Sequence, residues 1–417
     1  MAAKKTFSPI VIIGALFFVF GFVTWLNSVL IPYLKIACEL SNFESYLVAF
    51  AFYIAYFVMA LPSAWILKIT GFKKGMALGL VIMAFGALLF IPAALSRTYL
   101  IFLVGLFIQG TGLAVLQTAS NPYITILGPV ESAAQRISIM GICNKVAGAI
   151  APIILGAVTL SDADGVKARI IQMTTAEKAL ELDALAHKVI WPYVAIIIVL
   201  IVLAILTYWS NLPEVDTEKE DDAVALANTN KTSILQFPHL MLGAVTLFLY
   251  VGVEVMAGDT VISYASAQGI PLSAAKYFTT YTLISMIIGY VIGILCIPKY
   301  FTQQTALKVS AMLGVLLAIC AILSSGYVSV LFISLLGLAN SLMWPAIWPL
   351  AISGLGRFTK TGASMLIMGI SGGALLPPLY GYITDAVDAQ QAYWIMVPCY
   401  LFIFYYAVSG HKLRRQH

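Results

Sequence analysis

Apolar positions in this chain fall in stretches of about twenty residues or more, the length an α-helix needs to cross the roughly 30 Å hydrocarbon layer of a bilayer. They predict membrane helices at about 8 to 33, 45 to 69, 74 to 95, 98 to 127, 134 to 160 and 188 to 210, then 237 to 263, 272 to 298, 304 to 324, 327 to 353, 361 to 384 and 390 to 410. That makes twelve, and the fold class is all-α. A β-barrel would instead alternate apolar and polar residues over segments of about ten. Two connections are long. Residues 161 to 187 contain a charged helical pattern, Thr175 to His187, that is too polar to span and is expected to cap the outer face. Residues 211 to 236 carry Glu214, Asp216, Glu218, Glu220, Asp221 and Asp222 and read as a solvated cytoplasmic linker. The expected organisation is therefore a six-helix half over 1–210, the linker over 211–236, and a second six-helix half over 237–417.

The two halves echo each other. Asn121-Pro122 is followed by Ile139-Met140-Gly141 and Pro152, and Trp348-Pro349 at similar spacing by Ile367-Met368-Gly369 and Pro377. Helices four and five would thus repeat as ten and eleven. Parallel repeats of six helices are the architecture of the major facilitator superfamily.

Composition narrows the class further. With 61% hydrophobic and 10% charged residues, and a mean hydropathy of +0.97, the chain is an integral membrane protein, since ordinary soluble domains are about one quarter charged. Its 5 cysteines lie mostly inside apolar runs and imply neither a disulfide framework nor a metal site. The net charge of +5 is dispersed over short loops, so it reports topology rather than affinity for nucleic acid. With a cytoplasmic N-terminus, about fifteen Lys and Arg fall on the cytoplasmic side and about seven on the other, as the positive-inside rule requires. Both termini then lie in the cytoplasm. Lys4 and Lys5 precede an apolar run that lacks a small-residue cleavage site, which reads as a retained first helix.

A few polar residues stand where hydrocarbon should be. On the fourth helix Gln117 and Asn121 are four residues apart, with Gln109 two turns earlier on roughly the same side. The fifth carries Asn144 and Lys145 at mid-span. Such groups persist where they face a polar interior, so a pocket or path through the bundle is the default reading. Thr118 and Ser120 read instead as groups bonding helix to helix. The first helix adds Thr24, Asn27 and Ser28 beside Trp25; the seventh adds Tyr250 and Glu254, with Asp259 about 140° around from Glu254. Asp259 is expected near the outer end, in contact with solvent. The tenth helix carries Asn340, Trp344 and Trp348 at four-residue spacing. An indole can cover the apolar face of a pyranose while Gln and Asn both donate to and accept from its hydroxyls. The expected substrate-binding set is Asn27, Gln117, Asn121, Asn144, Asn340, Trp344 and Trp348. The expected coupling set is Lys145, Glu254, Asp259 and Ser28.

The runs Asn27-Ser28-Val29-Leu30-Ile31-Pro32, Leu116-Gln117-Thr118-Ala119-Ser120-Asn121-Pro122 with Leu127-Gly128-Pro129, Arg136, Asn144, and Tyr250-Val251-Gly252-Val253-Glu254 resemble the fucose, galactose and glucose permease family of bacterial cation-coupled sugar transporters. The glucose/galactose branch matches best in pattern. The resemblance implies a transporter in the bacterial inner membrane that imports a neutral hexose such as D-glucose or D-galactose as a monomer surrounded by lipid. It implies no cofactor beyond a transported H⁺ or Na⁺. Two positions depart from the fucose permeases: Ser28 and Gln117 stand where those have acidic residues for protonation and sugar contact. Lys145 stands where they have a small polar residue.

Coupling therefore stays open at the level of sequence. Glu254 or Asp259 could carry a proton, Na⁺ could bind oxygens such as those of Asn27 and Ser28 with a carboxylate, or Lys145 could mimic a bound cation in an uncoupled facilitator. A lysine paired with an acid offers a further scheme, in which the incoming cation competes for that acid. A membrane-embedded enzyme would need a nucleophile or metal constellation, and His187, His239, His411 and His417 show no ligand spacing. A drug exporter would favour an aromatic and Met-lined cavity over several amides. No nucleotide-binding loop is present for ATP.

Overall fold

The computed structural model describes residues 9–126, 133–210, 212, 233–297, 300–355 and 358–413, with the side chains at 9, 121–138, 359 and 360 outside the description. Most of the acidic linker, the Leu127-Gly128-Pro129 run and the side chains of Asn121 and Arg136 thus lie outside the described residues. Those described are helical or in turns, with no strand among them.

Among the described residues, eleven helical stretches are long and apolar enough to cross a membrane, and one of them, Asn42–Ser96, is 55 residues long. That stretch is two spans. Phe52 and Gly86 both pack at the level of Gln109 and Gly110 on the fourth helix. A straight helix between them would be about 50 Å long, so the chain has to reverse. It does so at Gly71, whose φ of 74° only glycine adopts without strain. The twelve expected spans are therefore present.

Several differ in detail from their apolar runs. The first is broken at Leu26, between Pro9–Trp25 and Asn27–Ala37. The fourth runs Tyr99–Ile126, the fifth Ala133–Thr159 and the sixth Ile190–Trp209; the seventh, Pro238–Asp259, continues after Thr260 as Val261–Ala267. The eighth begins as a separate turn, Leu272–Ala275, before Phe278–Cys296. The tenth breaks between Gly326–Asn340 and Met343–Ile352, and the eleventh passes through a 3-10 turn, Gly369–Ser371.

Close backbone approaches show the internal repeat that the sequence suggests. A Cβ on Gly110 of the fourth helix would meet the Phe52 carbonyl of the second at 2.2 Å, and one on Gly337 of the tenth would meet the Thr282 carbonyl of the eighth at 2.0 Å. The first and fifth helices touch at Gly21 and Asn144 as the seventh and eleventh touch at Phe248 and Gly372, both at 1.8 Å by the same measure. Small residues let helices approach this closely in a solvent that gives them no hydrophobic reason to associate. The two six-helix halves meet along three seams: first helix with seventh, second with eleventh, fifth with eighth.

The Thr175–His187 helix forms where its charge pattern predicts, started by a capping box in which Thr174 and Glu177 satisfy each other's backbone N–H groups. Tyr33 donates to the carbonyls of Leu185 and Ala186 at 2.8 and 2.9 Å. Arg97 meets Asp183 at 3.5 Å, and Lys178 pairs with Glu39. This helix caps one end of the bundle. At that cap end the halves are pinned together: the Asp385 carboxylate accepts from the N–H groups of Asn42 (3.2 Å) and Phe43 (2.8 Å) and from the Asn42 side chain (2.7 Å).

Candidate functional site

Lys145 sits deep in the fifth helix and reaches across to the opposite half. Its Nζ lies 2.7 Å from Glu254 Oε1 on the seventh helix, and both side chains are only 11% exposed. The same ammonium stands 4.9 Å from the centroid of the Trp25 ring, within cation–π range. That indole is wedged between two glycines. A Cβ on Gly148 would come within 2.3 Å of it, and one on Gly258 within 2.0 Å. Two hydroxyls of the eighth helix fix these backbones: Thr279 donates to the Gly258 carbonyl and Thr280 to the Ala149 carbonyl, each at 2.8 Å.

Glu254 has four tyrosines near it. Tyr53, Tyr250, Tyr290 and Tyr400 all lie within its electrostatic reach. Tyr250 packs on Trp344 with centroids 6.5 Å apart, and Trp344 stacks on Trp348 at 5.5 Å with 22° between planes. The two tryptophans thus stack on each other and reach Tyr250. Gln117 donates to Tyr56 at 3.0 Å, and Tyr56 stacks on Tyr53, so the amide of the fourth helix connects to the same cluster. Asn144 leans the other way, its amide 3.4 Å from the Phe17 carbonyl. Gln117, Asn144, Lys145, Trp344 and Trp348 are each partly exposed.

Other expected site residues are placed differently. Asn340 is fully buried and accepts a 2.9 Å hydrogen bond from Tyr400. The break after it takes it off the helix that carries the two tryptophans, so the three do not form one continuous stripe. Ser28 is buried and donates to the carbonyl of Trp25 at 2.8 Å. Asn27 is buried with neither side-chain polar atom bonded among the described residues. The Asn121 side chain lies outside the described residues. Thr118 donates back to Ala114 at 2.7 Å, as a structural hydroxyl does, whereas the Ser120 hydroxyl is buried without a described partner.

Asp259 corrects the sequence reading. Expected in solvent at the end of its helix, it is 0% exposed, and neither oxygen has a partner among the described residues. The helix end does not reach the surface. Thr260 bonds to Met256 at 2.7 Å and to Tyr393 at 2.6 Å, and the chain continues as a further helix, Val261–Ala267, with Val261, Ile262, Tyr264 and Ala265 buried.

Apart from Tyr250, sequence reasoning missed the tyrosines. Tyr46, Tyr53 and Tyr56 share a face of the second helix by heptad-like spacing, and all are buried. The signal was that a membrane helix repeating Tyr on one side has hydroxyls that need partners.

The model of the major facilitator superfamily matches residues 13–372. The chain belongs to that superfamily, within its fucose, galactose and glucose permease family. A Brucella abortus protein named glucose/galactose transporter is 34% identical over 400 residues, 95% of this chain and 92% of that protein. The L-fucose-proton symporter of Escherichia coli is 29% identical over 407 residues, 96% of this chain and 92% of its own. The crystal structure of FucP in the outward conformation superimposes with a TM-score of 0.73 at 28% identity, covering 98% of this chain and 99% of that one. An inward-facing bacterial homologue of Spinster, 15% identical, shares the fold at a TM-score of 0.65. The protein is thus a multi-pass membrane transporter and not an enzyme.

Proposed function

We propose that this transporter imports a neutral hexose, D-glucose or D-galactose, by alternating access of its two halves, with a proton or Na⁺ moving inward alongside. The observation that carries the reading is the Lys145–Glu254 pair, a contact between the halves set among stacked tryptophans, tyrosine hydroxyls and amides. Trp344 and Trp348 offer a pyranose its apolar cover. Gln117, Asn121 and Asn144 offer groups that donate and accept, as sugar hydroxyls do. Lys145 is already matched by Glu254, which favours a neutral sugar over a phosphorylated one. The relatives named for glucose, galactose and L-fucose support the same substrate class.

By the charge asymmetry of the loops, the cap end faces the bacterial periplasm and both termini face the cytoplasm. The unit is a monomer, because the seam that forms the site lies within one chain, between residues 1–210 and 237–417. A sugar that competes for Lys145 or Glu254 loosens the contact between halves, which links occupancy to rocking. An uncoupled facilitator is the rival with an observation behind it: Ser28 and Gln117 do not titrate in the physiological range. Counterflow competition in proteoliposomes tests the substrate. Glucose and galactose should displace labelled galactose, and better displacement by glucose 6-phosphate would overturn the assignment.

A further inference from the structure

We propose that Asp259 is the carboxyl that binds the coupling proton, and that its protonation licenses closure of the outer mouth. This rests on the reading of the protein as a coupled hexose importer and deepens it by naming the ion and its site. Asp259 lies at the seam between the halves. Its neighbour Gly258 is pressed against Trp25 of the first helix, and Tyr46 and Tyr53 of the second helix are its electrostatic neighbours. The carboxyl is 0% exposed, with no described partner for either oxygen.

An ionised carboxylate buried without a partner is strongly disfavoured, whereas the protonated acid forgoes only a hydrogen bond. The two acids of the seventh helix therefore differ in kind. Glu254 has Lys145 at 2.7 Å and needs no proton to be buried. Asp259 has no such cation. The titratable groups within its electrostatic reach are the phenols of Tyr46 and Tyr53, and the uncharged Trp25 of the first helix and Thr279 of the eighth pack on the adjacent Gly258. Glu254, five residues earlier on its own helix, is turned to Lys145.

The consequence is a rule for the cycle. Withdrawing the first and second helices would let water reach Asp259 and allow it to ionise; closing them over it requires the proton. Tyr46 also lines a polar cavity of about 260 Å³ with Lys35, Asn42, Ser263 and Tyr380 at the cap end, a short way in for a proton from that side. A carrier that closes only when Asp259 is protonated takes one proton into the closed state with each sugar; the inward step is completed when opening of the inner mouth brings water to the carboxyl from the cytoplasmic side, where it ionises, and the ionised carboxylate then favours reopening of the outer mouth.

The test is proton movement during downhill glucose influx in weakly buffered proteoliposomes. Wild type should alkalinise the outside medium as glucose enters, and Asp259→Asn should keep glucose counterflow while moving no protons. Proton movement surviving in Asp259→Asn, or wild-type accumulation driven by Na⁺ and indifferent to pH, would overturn the proposal. A second measurement needs neither variant nor sugar. Dicyclohexylcarbodiimide adds to protonated carboxyls in apolar surroundings, so it should label Asp259 of the wild type, less as pH rises. Label on Glu254 with none on Asp259 would overturn the proton site. Absence of glucose counterflow in the wild type would fell the sugar reading, while the labelling still decides the proton site.

Discussion

Lys145 and Glu254 stand 2.7 Å apart, one from each half of the molecule, with 11% of each side chain exposed. Removing one member of such a pair strands the other charge, at a cost of about 3 to 5 kcal/mol. Lys145→Gln and Glu254→Gln should each lower the melting temperature in detergent and reduce hexose counterflow. The double variant, which strands no charge, should recover most of the stability. A double variant that melts no higher than the worse single would show that the two residues are not coupled.

The sugar-binding prediction rests on amides and indoles. Losing one hydrogen bond to a buried hydroxyl costs about 1 to 3 kcal/mol, so Gln117→Ala, Asn121→Ala and Asn144→Ala should each weaken glucose binding roughly tenfold or more. Trp344→Ala should do the same through lost stacking, with Trp344→Phe retaining most of the affinity. Calorimetry on folded variants decides it. Unchanged affinity in all four alanine variants would place the sugar elsewhere.

Trp25 is clamped between backbones of both halves, and a Cβ on Gly258 would fall 2.0 Å from its ring. Overpacking of this kind typically costs about 1 to 3 kcal/mol, and here the cost falls on the closed state alone. Gly258→Ala should therefore favour a carrier open at the cap end. A Ser263→Cys reporter in a cysteine-free background should react faster with a membrane-impermeant maleimide when Gly258→Ala is added. An unchanged rate would mean that Trp25 does not form part of the outer closure.

Asp385 makes a separate prediction at the same mouth. Its carboxylate caps the start of the second helix through Asn42 and Phe43, where a negative charge also complements the helix dipole. Asp385→Ala should raise the reactivity of the same Ser263→Cys reporter and leave glucose affinity, measured by calorimetry, within about twofold, since the site around Lys145 is untouched. A large loss of affinity with no change at the reporter would contradict this.

How much of this was legible in the sequence depended on the kind of signal. Twelve spans follow from length and hydropathy, and even the polar Thr175–His187 helix was visible in its charge pattern. A lone lysine at mid-helix demanded a partner, and Glu254 was one of two acids available, so half of the central contact could be named in advance. The choice between Glu254 and Asp259 could not, because it depends on which way the seventh helix faces the other half. Asp259 was misjudged for a related reason: position along a helix gives depth only when the chain leaves the bundle there, and here it continues buried past Thr260. Asn340 shared spacing with Trp344 and Trp348, but the turn between Asn340 and Met343 has no marker as plain as proline at the break itself. The tyrosines around Glu254 come from the second, seventh, eighth and twelfth helices, and no single-helix periodicity brings them together.

Concentrative uptake of radiolabelled glucose into proteoliposomes, under an imposed pH gradient and, separately, a Na⁺ gradient, separates proton coupling from the other mechanisms. Proton coupling through Asp259 predicts accumulation above the external concentration when the outside is acidic, none with Na⁺ alone, and loss of accumulation in Asp259→Asn. Equilibration without accumulation under either gradient, with Lys145→Gln behaving like the parent, would contradict it and leave a simple facilitator.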